Sequence, residues 1–167
     1  MWQFFYTFKW MENIERFFNE IRNGNTEAVK EMLDASPTLM TARDQRGSTP
    51  LILATYYSNE AIADLLLKLG TEVDAKDSSG NTALMGVCFK GDIKIAKKLI
   101  EKGANINTTN AMGGTCLIYA ATFNKEEILK LLLENGADKN AKDGRGNTAL
   151  DHAKMQGFTN LITILED

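Results

Sequence analysis

Apolar positions recur along the chain with the spacing of short amphipathic helices. Ile62, Ala63, Leu66 and Leu67 share one face of a helix, and polar side chains lie between them. A shorter apolar segment precedes this one, and it starts directly after Thr49 and Pro50, a pair typical of a helix start. The hydrophobic pattern therefore predicts pairs of short helices that are joined by polar turns.

The pattern repeats every 33 residues from residue 44 onwards. Each copy has a turn glycine, a threonine two residues later, and a leucine two residues after the threonine. The positions are Gly47, Gly80, Gly113 and Gly146; Thr49, Thr82, Thr115 and Thr148; and Leu51, Leu84, Leu117 and Leu150. A second glycine series, Gly70, Gly103 and Gly136, closes the second apolar segments, where a left-handed helix end is expected. Units of a turn, two antiparallel helices and an extended link would stack into one core.

The segment from Asp44 to Pro50 and its copies resemble the ankyrin repeat, whose period is 33 residues and whose first helix opens with Thr-Pro-Leu-His. The resemblance implies an all-α ankyrin-repeat solenoid of about five helix-turn-helix units with hairpin-like turn tips. We divide the chain into an aromatic N-terminal arm at 1–10 and an ankyrin-repeat domain at 11–167. The domain comprises a divergent cap at 11–43, repeats at 44–76, 77–109 and 110–142, and a C-terminal cap at 143–167.

The chain departs from the family signature at its histidine. Ile52, Met85, Ile118 and Asp151 occupy that position, so the Thr-His hydrogen-bond network of the family cannot form. We expect apolar packing between units to replace it. Gly86 lies inside a predicted helix and costs about 1 kcal/mol relative to alanine, so the repeat at 77–109 is expected to be the softest interior unit.

Composition and charge narrow the function classes. The 167 residues are 44% hydrophobic and 25% charged, which is typical of one globular domain. No apolar run reaches the roughly 18 residues that a membrane span needs, so a membrane partner is disfavoured. A net charge of -3 argues against a nucleic-acid partner. Cys88 and Cys116 are too few for a disulfide framework, which favours a reducing, cytoplasmic location.

Candidate catalytic and metal sites are weak. His152 has no second ligand at suitable spacing, so we interpret it as a helix residue that packs against the preceding repeat. The GxGxxA match at 144–149 follows a polar segment instead of a buried strand. Asp138, Asn140 and Asp143 lack the closing glutamate of a calcium loop. We predict no catalytic residue, no metal and no cofactor.

The resemblance implies a protein partner that binds turn tips and the ends of first helices on a concave face. Carried over position by position, the partner-binding residues are Arg43, Gln45, Arg46, Tyr56, Tyr57, Lys76, Ser78, Ser79, Phe89, Lys90, Met112, Phe123, Lys142 and Arg145. Aromatic residues are enriched at binding hot spots, and these tips are basic in an acidic protein. We expect a partner surface that is apolar with acidic flanks. The alternative is that some of the aromatics pack on adjacent helices.

Residues 1–10 hold six of the fourteen aromatic residues, and the repeat pattern does not explain them. Aromatics at positions 2, 4, 6, 8 and 10 alternate with other residues, which is the period of an extended strand. Three interpretations stay open: an arm that covers the concave aromatics of this molecule or of a neighbour by self-association, an interfacial membrane tether, or an extension of the cap helix or non-native start. The tether leads to our alternative function, a peripheral membrane adaptor, and an enzyme ranks third.

Overall fold

The computed structural model describes the backbone of residues 2–167 and the side chains of residues 11–167. Within this range the chain forms ten α-helices and one short 3₁₀-helix, with no β-strand. The α-helices are α1 (Trp2–Asn23), α2 (Thr26–Ala35), α3 (Pro50–Tyr56), α4 (Glu60–Lys68), α5 (Ala83–Lys90), α6 (Ile93–Glu101), α7 (Cys116–Thr122), α8 (Glu126–Glu134), α9 (Ala149–Gln156) and α10 (Thr159–Glu166). The 3₁₀-helix Pro37–Thr41 follows α2. The predicted all-α solenoid of helix pairs is confirmed.

Each first helix from α3 onwards begins at the repeated threonine. Thr49 is the N-cap of α3, and its hydroxyl accepts a hydrogen bond from the backbone N–H of Ile52 at 3.1 Å. Thr82, Thr115 and Thr148 cap α5, α7 and α9 in the same way. Such caps satisfy one of the backbone donors that a helix start leaves free. The threonine series therefore sets where every one of these helices begins.

Side chains at equivalent positions of the repeats fill one continuous core. The interior of the first helices is lined by Ala54, Val87, Ala120 and Ala153, all fully buried. The second helices contribute two buried rows. These rows are Ile62, Ile95, Ile128 and Leu161, and Leu66, Leu99, Leu132 and Leu165. Because each unit leaves an apolar face uncovered, neighbouring units stabilise each other by burying it.

The first helices pack more closely on one another than the second helices do. Extensive contacts join α3 to α5, α5 to α7 and α7 to α9, whereas contacts between successive second helices are sparser. The stack therefore curves with α3, α5, α7, α9 and the turn tips on its inner side. We call this inner side, with the tips at 44–48, 77–81, 110–114 and 143–147, the concave face.

Backbone hydrogen bonds link each turn tip to the next. The N–H of Ser78 donates to the carbonyl of Arg46 at 3.2 Å, that of Ala111 to Ser79 at 3.0 Å, and that of Gly144 to Met112 at 2.7 Å. Polar side chains add a further link, since the Asn110 amide donates to Asn81 Oδ1 at 2.9 Å and to the Tyr119 hydroxyl at 3.0 Å. Hydrogen bonds at the tips therefore join the units as well, beside the apolar packing that we expect to replace the Thr-His network.

The extended strand expected near the N-terminus is wrong, because the backbone from Trp2 to Asn23 forms the single helix α1. No glycine or proline interrupts this segment, and extending an existing helix costs far less than starting one. Of the three interpretations, the extension of the cap helix agrees with this backbone. The side chains of residues 1–10 lie outside the described residues, and so do the predicted arm contacts and the predicted self-association.

Candidate protein-binding surface

The predicted aromatic residues lie at the ends of the first helices on the concave face. Tyr56, Tyr57, Phe89 and Phe123 expose 49%, 44%, 42% and 42% of their surface. The rings of Phe89 and Phe123 meet edge to face across two repeats, with centroids 4.5 Å apart, and Tyr119 stacks on Phe123 at 6.3 Å. We call these five residues the aromatic row.

Tyr56 and Tyr57 form the N-terminal part of the aromatic row. Their rings meet edge to face with centroids 5.3 Å apart. Lys90 of the next repeat places its ammonium group 5.6 Å from the centre of the Tyr56 ring, and donates hydrogen bonds to the Tyr56 carbonyl and, at 2.9 Å, to the Ser58 hydroxyl. Lys90 thus joins two repeats and leaves a positive charge beside the exposed aromatic rings.

Two of the predicted basic tip residues also hold the repeats together. Arg43 donates to the carbonyl of Gly47 at 2.9 Å and to that of Lys76. The Lys76 ammonium group in turn donates to the carbonyl of Thr109, one repeat further, at 2.9 Å. These side chains remain exposed, but substituting them would also disturb the stacking of the tips.

The other predicted tip residues are exposed, and their side chains do not help to hold the repeats together. Within residues 11–167, the side chains of Gln45, Arg46, Ser78, Ser79, Lys142 and Arg145 form no hydrogen bond or salt bridge. Met112 is an exposed apolar tip residue, with 70% of its surface accessible. Tips of this kind leave charged and apolar groups available to a partner.

The carboxylates on the concave face accept hydrogen bonds from backbone N–H groups of their own turns. Asp143 accepts the N–H groups of Asn147 and Arg145 at 2.9 Å each, and its other oxygen lies 2.8 Å from Nε2 of His152. Hydrogen bonds from the Asn147 N–H, the His152 ring and the Arg145 N–H lower the pKa of Asp143 from 3.8 to about 2, against the opposing effect of burial. Asp44 and Asp77 receive the same pair of backbone hydrogen bonds in their turns.

Groups that could perform catalysis are separated or inert among the described residues. His152 is half-buried and its visible partner is Asp143, within the same repeat. Cys88 and Cys116 are fully buried free thiols, and burial, with Cys116 next to it, raises the pKa of Cys88. A thiol held in its neutral form is a poor nucleophile. Within the same residues, no group of three or more His, Cys, Asp or Glu side chains could hold a metal ion.

Two further residues, Tyr119 and Arg22, lie on or beside the concave face and were not predicted from sequence. Tyr119 lies four residues before Phe123 on α7, a spacing that places two side chains on one helix face, so this neighbour was detectable. Arg22 of α1 forms a salt bridge with Asp44 at 3.3 Å and borders the first turn tip. It belongs to the cap, outside the 33-residue register, and no sequence signal places it there.

Comparison with known families agrees with this geometry. The family model of ankyrin repeats matches three copies, over residues 20–77 and 84–166. The chain therefore belongs to the ankyrin repeat family, whose members generally act as protein-protein interaction modules and are typically non-catalytic. No curated protein matches the chain significantly. Among the described residues, none of the helices combines the length and the hydropathy needed to cross a membrane.

Proposed function

We propose that this chain is a non-catalytic module that binds a protein partner on its concave face. The observation that carries the proposal is the exposure of four rings of the aromatic row: Tyr56, Tyr57, Phe89 and Phe123 keep between 42% and 49% of their surface accessible. Tyr56 contacts Tyr57 within one repeat, and Phe89 contacts Phe123 across two repeats. Exposed apolar rings are unfavourable in water, so covering them with a partner favours binding. Rings that are already held by neighbouring side chains lose little conformational entropy when the partner binds. Tyrosine is also among the residues that dominate binding energy at interfaces.

The tips extend this surface with positive charge. Arg46 and Arg145 lie at the same position of their repeats and pair with no carboxylate of residues 11–167. Their exposed guanidinium groups favour a partner with acidic residues around an apolar centre. We propose a cytoplasmic location as well, which the two buried free thiols support.

The double variant Tyr57→Ala with Phe123→Ala tests the proposal. We expect it to weaken partner binding at least about tenfold, because hot-spot aromatics contribute on the order of 2 kcal/mol each. Immobilised wild-type and variant chains would be compared by affinity capture from lysate of cells that express the protein. The thermal unfolding of both chains would be measured in parallel, because losing the contact of Phe123 with Phe89 also costs about 1 kcal/mol of stability.

Leu69→Ala is the matched control, because Leu69 is an apolar residue with 50% of its surface exposed at the end of the outer helix α4. It should retain the wild-type partner. A folded double variant that captures the partner as well as the wild type, or an equal loss in the Leu69 variant, would contradict binding by the concave face.

A further inference from the structure

A groove of about 600 Å³ opens at the N-terminal end of the concave face. Three successive units form its walls: Arg22 of α1, the tip that contains Arg46, and the tip that contains Ser78 and Ser79. The volume lies within the range of roughly 300–1,000 Å³ that is typical of ligand-binding clefts. The groove is thus large enough for one bulky side chain and the adjoining backbone of an extended peptide.

Part of the lining of the groove is apolar. Ile52 and Leu53 of α3 line it, partly and almost fully buried, and so do Tyr56 and Tyr57, which keep nearly half of their surface exposed. An apolar side chain that covers these groups removes apolar surface from water, which favours binding. The exposed residues Ser78 and Ser79 also line the groove, and their hydroxyls suit the polar groups of a peptide backbone.

The charges of the groove are unevenly matched. Asp44 forms a salt bridge with Arg22 and accepts two backbone N–H groups, and Asp77 accepts two backbone N–H groups from its own turn. The Arg46 guanidinium, in contrast, has no carboxylate partner among residues 11–167. Lys90, in contact with Tyr56, adds a second positive charge at the border. An incoming carboxylate therefore finds cations that the protein itself leaves unpaired.

Some charges on the outer helices are paired with one another. Glu60 and Asp64 on α4 hold Lys98 of α6 at 2.7 Å each, so this acidic pair lies on the outer helices. The outer helix α6 also carries the exposed lysines Lys94 and Lys97, so positive charge is not confined to the groove. An acidic partner is favoured at the groove by the Arg46 guanidinium and by Lys90, which pair with no carboxylate of residues 11–167.

We propose that this groove receives an extended acidic segment of the partner, an inference that rests on the proposed protein-binding function. In that segment, a bulky apolar side chain flanked by aspartate or glutamate inserts between α3 and the second turn tip. The apolar side chain packs on Leu53 and Tyr56, and a flanking carboxylate pairs with Arg46. The C-terminal end of the concave face has the same tip arginine at Arg145, but within residues 11–167 no further turn tip follows it to form a second wall, so the segment enters at the N-terminal end.

A library of random peptides displayed on phage, selected against the full wild-type chain, tests this occupant. We expect the selected peptides to carry acidic residues around an aromatic or aliphatic residue. The affinity of labelled copies of these peptides would then be measured by fluorescence anisotropy at low and at high salt. Because solvent-exposed charge pairs are screened by salt, binding should weaken as the salt concentration rises.

The decisive comparison is Arg46→Glu against Arg145→Glu. The two arginines occupy the same position of the repeat, and each substitution changes the net charge equally, but only Arg46 borders the groove. The side chain of Arg46 makes no described contact that folding needs, so circular dichroism and the melting temperature should not change. We expect Arg46→Glu to lower the affinity for the selected peptides about tenfold or more, and Arg145→Glu to lower it less than about twofold.

Several results would overturn the proposal. A selection that yields no peptide, or peptides without acidic residues, would exclude an acidic segment as the occupant. Equal effects of the two charge reversals would show that only the overall charge matters. Peptides that lose affinity with Phe123→Ala but not with Arg46→Glu would move the site out of the groove, while binding on the concave face, and with it the proposed function, would stand.

Discussion

At the scale of single residues, one polar side chain in each turn fixes the tip. Asp44, Asp77, Asn110 and Asp143 occupy equivalent positions, and each accepts two backbone N–H groups of its own turn. Their side-chain type and the glycine three residues later predicted a turn from sequence. The pairing of Asp143 with His152 could not be predicted, because it depends on how the last turn meets α9.

Asp143→Ala and Asp143→Asn separate the geometric from the electrostatic role of this carboxylate. Alanine removes both acceptors and should lower the free energy of unfolding by about 2 kcal/mol at neutral pH. Asparagine should cost less, because Asn110 already holds the same turn in its own repeat. Urea unfolding curves of the three proteins would measure the differences.

The same comparison has a defined pH dependence. The pKa of Asp143 is about 2 in the folded chain and 3.8 ordinarily, so the charged carboxylate stabilises the fold above pH 3.8. This stabilisation is lost as the pH falls towards about 2, where the folded carboxylate also takes up a proton. The advantage of wild type over Asp143→Asn should therefore disappear over this interval; a constant difference would contradict the assigned pKa.

At the scale of elements, the caps were predictable and the N-terminal helix was not. Thr49 and Pro50 mark the start of α3 in the sequence as they do in the structure. Alternating aromatics at residues 2–10 instead indicated a strand, since a periodicity of two takes no account of the helix that follows directly. Aromatic residues favour strands, but extending the adjoining helix costs less than starting a separate element, so the helix determines the backbone of this segment.

Gly113→Ala and Gly146→Ala test whether contacts between turn tips stabilise the stack. Both glycines have positive φ angles, of 75° and 85°, so a side chain strains either turn by about 1–2 kcal/mol. A Cβ on Gly113 would also lie 2.8 Å from the backbone N of Gly144, whereas one on Gly146 meets nothing within 4 Å. We expect Gly113→Ala to cost at least about 1 kcal/mol more, because overpacking adds to the strain.

Urea unfolding of the two glycine variants gives this difference directly. The hydrogen bond from Gly144 to Met112, at 2.7 Å, lies next to the substituted position and would be displaced only in the Gly113 variant. Equal losses of stability in both variants would mean that the tips touch without contributing to the stability of the stack.

At the scale of the whole molecule, a 33-residue register places equivalent side chains in rows. The core rows and the ends of the first helices followed from this register, so the solenoid and the exposed aromatics were predictable from sequence. Contacts between non-equivalent positions of neighbouring units could not be predicted from sequence. Examples are the contacts of Arg22 with Asp44 and of Lys90 with Tyr56. The groove lies where such units meet, so the sequence alone did not predict it.

Site-specific photo-crosslinking can show whether a partner binds on the concave face. A benzophenone amino acid would replace Phe89 in one chain and Leu69 in another, two positions of similar exposure on opposite sides of the stack. Irradiation of each chain with the captured partner, followed by electrophoresis, reports which side is in contact. We expect a cross-linked product from position 89 and none from position 69; a product from position 69 alone would show that the partner binds the outer helices instead.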